Sequence, residues 1–145
     1  MSAIKATRGA QYPLVAEFTF SFDDTMADTT GVSKDFGATN TAATSFDVIN
    51  LPYGAVVVGG DVVTETALDT ASYALVVGDS TTANRYLAST DVKAAGRVAL
   101  VPTGYVSDGG AVRIGITNAD VCTAGKVTVR VMYTIRNRTN EVQAN

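Results

Sequence analysis

Catalysis at neutral pH usually needs a histidine, a reactive thiol or converging carboxylates. This sequence has no histidine and one cysteine, Cys122. A Ser-His-Asp or Cys-His arrangement within the chain is therefore excluded, as are a Cys/His zinc site and an internal disulfide. Cys122 stands between Val121 and Thr123 with no histidine to activate it. It is expected to act as a small buried hydrophobe. Asp23, Asp24 and Asp28 crowd together, and loop carboxylates can hold Ca²⁺ through several oxygens. Their spacing matches no EF-hand loop, so a solvated acidic loop without metal is expected. Glu17, Glu65 and Glu141 are the only glutamates. Glu17 and Glu65 fall on the outward phase of their strands, which does not give the converging pair a glycosidase needs. Gly59-Gly60-Asp61 lacks the lysine of a phosphate loop. Asn137-Arg138-Thr139 fits the N-glycosylation pattern, but no signal peptide accompanies it, and it reads as a chance match. The chain is expected to be no enzyme and to use no cofactor.

The basic residues are more suggestive. Arg130, Arg136 and Arg138 gather near the C-terminus, and Lys5 and Arg8 near the N-terminus, in a chain of net charge −3. A solvated face is one reading of them. The other is a contact with an acidic protein surface, where arginine's planar fork suits carboxylates. The overall charge argues against nucleic acid as a partner. No stretch approaches the ~20 apolar residues of a membrane-spanning helix. Met1 to Gln11 holds no signal-peptide core. Synthesis in the cytosol and no membrane contact are expected.

Strands must position these groups. In the first run, Leu14, Ala16, Phe18, Phe20 and Phe22 share one face, and Val15, Glu17, Thr19, Ser21 and Asp23 the other. In the last, Val127, Val129, Val131, Tyr133 and Ile135 alternate with Thr128, Arg130, Met132, Thr134 and Arg136. Such period-two alternation marks half-buried strands. Shorter strands are expected at 45–50, 55–65, 73–77, 97–101 and 111–117. A bulge or bend is expected at Gly59-Gly60. Turn residues separate the strands. The composition, 46% hydrophobic and rich in Val and Thr, agrees. Seven or eight strands over 145 residues imply an all-β protein, an antiparallel jelly-roll-like sandwich of one domain. The expected layout is an N-terminal arm at 1–11, the sandwich at 12–136 with a long loop at 24–44, and a C-terminal tail at 137–145. Ala88 to Ala95 is expected to form at most one helical turn.

One ordered series of segments carries a family resemblance. Leu51-Pro52-Tyr53-Gly54-Ala55-Val56-Val57-Val58-Gly59-Gly60 is followed by Val62-Val63-Thr64-Glu65-Thr66-Ala67. Then come Val77-Gly78-Asp79, Arg85-Tyr86-Leu87-Ala88, Ala95-Gly96-Arg97 and Pro102-Thr103-Gly104-Tyr105. The series, spanning residues 45–135, resembles the head decoration or cement proteins of tailed bacteriophages. The resemblance implies a jelly roll without an active site, made in the host cytoplasm. It also implies docking on the virion exterior, where the protein would bridge major capsid protein subunits. Lys5, Arg8, Arg130, Arg136 and Arg138 are the expected capsid or subunit contacts.

Two other classes compete. A carbohydrate-binding jelly roll of a phage tail or fibre would need aromatic platforms. Tryptophan is absent, but Tyr53, Tyr86 and Tyr105 lie near loops. A small hydrolase lacks the residues discussed above. Self-association is expected, most simply as a homodimer with a trimer as the alternative, because an open sandwich leaves edge strands to be covered and this chain has few lysines to guard them.

Overall fold

The computed structural model describes residues 12–38 and 40–136. Among them there are ten strands and no helix. Eight strands build two four-stranded antiparallel sheets. Sheet 1 has the order β1 (Leu14–Ser21), β10 (Lys126–Ile135), β5 (Ala55–Thr66), β8 (Gly96–Ala99). Sheet 2 has the order β4 (Asn40–Asn50), β9 (Ala111–Asn118), β6 (Tyr73–Gly78), β7 (Leu87–Asp91). Among these eight, the first strand pairs with the last, the second with the seventh, the third with the sixth and the fourth with the fifth. A long antiparallel ribbon rolled into two layers gives this nesting, which is the jelly roll.

Alternation explains the core. Phe20, Val127, Val129, Val131, Val57 and Val62 point inward from sheet 1 and are buried. Phe46, Ile114, Ile116, Tyr73, Leu75 and Val77 meet them from sheet 2. Phe18 and Tyr133 have the expected phase but are only partly buried, because they lie toward open margins of the sandwich.

The structure departs from the sequence reading in two places. The stretch 24–44 is not one loop: β2 (Thr25–Ala27) and β3 (Ser33–Asp35) form a hairpin within it, and β4 already starts at Asn40. The hairpin delivers Phe36 into the core, with ring centroids 4.5 Å from Phe20 and 4.6 Å from Phe46. Its carbonyl accepts a 2.8 Å hydrogen bond from the Tyr73 hydroxyl. Phe36 thereby joins the two sheets along an open side. The second departure is β7, a strand where a helical turn was expected after Leu87. Pairing with β6 outweighs the local alanine preference.

The bulge falls one residue before the Gly59-Gly60 pair, whose glycines keep their register opposite Met132 and Val131. Tyr133 lies opposite Val57 and Met132 opposite Gly59, leaving Val58 extra on β5. Gly60, with φ 136°, lets the backbone press against the Arg130 carbonyl.

Candidate functional site

The strand register places both chain exits together. Leu14 lies opposite Tyr133, so the described chain enters at Tyr12 and leaves at Arg136 on neighbouring strands. The Arg136 backbone N–H donates to the Gly54 carbonyl at 2.8 Å, and the Gly54 N–H donates to the Ser107 carbonyl at 2.8 Å. These bonds bring the 51–54 turn and the 100–110 loop to the same end of the sandwich. Tyr12 and Tyr53 are each more than four-fifths exposed there, and Arg136 is exposed beside them. Lys5, Arg8 and Arg138 lie outside the described residues, as do the arm, the tail and the 137–139 glycosylation pattern.

Arg130 is not part of that end. It lies six residues earlier on β10, on the outer face of sheet 1, where Glu17, Arg130 and Asp61 align across β1, β10 and β5. Its Nε and Nη2 donate to the two Asp61 carboxylate oxygens at 2.7 and 2.8 Å. Arg97 Nε, from β8, donates to Asp61 Oδ2 at 2.6 Å. Two arginines thus cover a carboxylate whose side chain is 8% exposed. The Arg130 hydrogen bond does most to hold the Asp61 carboxyl below the usual range, with help from Arg97 and against burial, which raises it. A second chain of contacts crosses the same face. The Thr19 and Thr128 hydroxyls are 2.9 Å apart, Thr128 donates to Glu65 at 3.0 Å, and Lys126 sits 3.4 Å from Glu65.

Beside this polar network the face is apolar. Val15 and Met132 are cross-strand partners, Met132 faces Gly59, and the bulged Val58 follows. All three are exposed. A shallow cleft of about 240 Å³ lies between Val15, Met132, Glu17 and the two arginines. Sequence reasoning missed Asp61 as the anchor of Arg130. No local signal marks it, because an aspartate in the outward phase of a strand reads as solvated and its burial comes from the two arginines that cover it.

The other candidate groups have structural tasks. Asp24 accepts from the Ser21 N–H, and Asp28 accepts from the Thr30 N–H and hydroxyl and from the Val32 N–H. These oxygens close turns, and no cluster of three potential metal ligands exists among the described residues. Cys122 is buried, and burial pushes its thiol up from the ordinary value. Of the three tyrosines considered for a sugar platform, Tyr53 alone is exposed. Tyr86 is buried, and the Tyr105 ring is covered by the Arg85 guanidinium, 3.6 Å from its centroid. Asp79 pairs with Arg85 and completes this clamp. The adjoining cavity, about 10 Å³, admits at most a water. Among the described residues no buried side-chain polar atom lacks a hydrogen-bond partner.

No protein-family model and no curated protein matches the chain. Solved structures do match it. A chain of the cyanophage Pam1 capsid asymmetric unit is 25% identical with a TM-score of 0.62, over 93% of this chain and 92% of that one. This chain is built like a phage-capsid component. A chain of the acidic stable capsid of Helicobacter pylori bacteriophage KHP30 has 20% identity and a TM-score of 0.60, over 90% of this chain and 92% of that one. A chain of the Ralstonia phage GP4 capsid has 16% identity and a TM-score of 0.54, over 95% of this chain and 92% of its own. These two share the fold. In each case the likeness spans nearly the whole of both chains.

Proposed function

We propose that the protein is a non-enzymatic structural component of a phage virion that binds the capsid exterior and stabilises it by bridging major capsid protein subunits. The end-to-end likeness to a chain of the Pam1 capsid carries this reading. A rigid jelly roll whose two chain exits share one end is suited to it. Arg136 stands at that end with the exposed Tyr12 and Tyr53, and Lys5, Arg8 and Arg138 lie in the stretches outside the described residues. Tyrosine and arginine are the residue types enriched where protein surfaces bind tightly. Binding to the assembled shell stabilises it by mass action, and repetition over the lattice adds avidity.

The test is co-sedimentation of the purified protein with empty heads of the phage that encodes it. The full chain is expected to pellet with heads to saturation. Arg136→Glu and deletion of residues 1–11 are each expected to weaken binding while leaving the fold unchanged. Heads that bind the full chain no better than an unrelated sandwich protein would overturn the proposal.

A further inference from the structure

The four sheet edges are not equally protected. β8 is four residues long. β7 is five residues long and its pairing with β6 is interrupted by a register shift. β4 is interrupted twice in its pairing with β9. β1 differs from all of them. It runs eight residues in unbroken register with β10, has no lysine, arginine or proline within it, and carries one charge, Glu17. Among the described residues the backbone of Leu14–Phe20 makes its ladder with β10 alone, so the groups along its other edge have no protein partner. Short, interrupted or charged edges resist pairing, and a long straight apolar one invites it.

The surface next to this edge is also distinctive. Three of the large hydrophobic residues exposed among the described ones, Val15, Met132 and Val58, share the outer face of β1, β10 and β5, and Leu14, of the opposite phase, is exposed at the start of β1. Among the described residues Glu17 forms no ion pair, yet it lies one strand from Arg130, whose charge it favours. The patch therefore has an apolar centre and both signs of charge at its rim.

We propose that this edge is a self-association site, where β1 pairs antiparallel with β1 of a second copy and joins the two four-stranded sheets into one of eight. A second copy is the occupant the charges favour. The patch sums to no net charge, Glu17 and Asp61 against Arg97 and Arg130, so a second copy can meet it under a two-fold rotation without net repulsion. An acidic partner would instead call for surplus positive charge, and Asp61 already takes up both arginines. Like charges directly opposite each other repel across a ladder, so the two-fold axis passes beside Glu17 and not through it. The inference goes beyond the capsid reading and does not depend on it.

Sedimentation equilibrium of the full chain at micromolar concentrations tests this. A monomer–dimer equilibrium is expected. Val15→Lys, at an exposed position, is expected to weaken it roughly tenfold or more by placing a charge against the paired edge. Val101→Lys, exposed just after β8 at the other edge of sheet 1, is expected to leave it unchanged. Single cysteines at Val15 or Glu17 are expected to cross-link chain to chain under mild oxidation, and one at Val101 is not. A monomer throughout, a closed trimer, or a dimer indifferent to Val15→Lys would overturn the inference. A dimer that fails to bind heads would uphold it and count against the capsid reading alone.

Discussion

Asp61 shows how a sheet face can hide a charge. Its carboxylate would be costly to bury alone, and the forked Arg130 and the Arg97 Nε compensate by charge-assisted hydrogen bonds. Asp61→Asn keeps the shape and removes the charge. It is expected to cost about 1.5–3 kcal/mol in chemical denaturation, the range for hydrogen bonds to charged groups. The pH dependence has a definite sign. The Asp61 carboxyl is lowered in the folded state, so its contribution is present above the ordinary aspartate value of about 3.9 and disappears as pH falls through the folded value. Thermal melts below about pH 4 are expected to drop less steeply for Asp61→Asn than for the parent. At Phe20 the phase of the first strand is tested directly. Phe20→Ala is expected to cost about 3–5 kcal/mol, as a buried aromatic truncated between packed rings. Phe36→Ala is expected to cost a similar amount, although nothing around Phe36 in the sequence announces its burial. It stands in a run of Thr, Ala, Asp and Gly without alternation. The residues that alternate were legible, whereas Phe36 is buried by a tertiary contact that no local pattern encodes.

At the scale of elements, legibility followed the length of the alternating run. β1 and β10 were read in correct phase because eight or more residues repeat with period two. The bulge in β5 was readable to within one residue because consecutive glycines interrupt a Val-rich strand. β2, β3 and β7 escaped because three to five residues give no period to measure, and alanine and threonine suit several conformations. The glycine pair carries a prediction of its own. A Cβ on Gly60 would run into the Arg130 carbonyl and lie 3.0 Å from the Leu100 side chain, at a φ that L-residues disfavour. Gly60→Ala is expected to destabilise by about 1–3 kcal/mol, the usual cost of a strained backbone position. The same change at Gly31, which has a similar sign of φ but open space around it, is expected to cost less in the same denaturation assay.

For the whole molecule, the jelly roll explains why residues distant in sequence share one surface. Nested pairing puts the first strand beside the last, so Tyr12 and Arg136 become neighbours although they are separated by nearly the whole described chain. That adjacency follows from the topology, and the sequence suggested it only through the basic residues at both ends. The pairing also separated Arg130 from Arg136, which a one-dimensional reading had grouped together. Arg136 sits at the end proposed to meet the capsid, and Arg130 on the face proposed to meet a second copy. The central claim is that this sandwich decorates the outside of a phage head. Electron cryomicroscopy of heads with and without the bound protein tests it most directly. The difference map is expected to show sandwich-sized density on the outer surface, with the end that carries Tyr12, Tyr53 and Arg136 turned toward the shell. Density confined to the head interior or to the tail, or no added density at saturating protein, would contradict it.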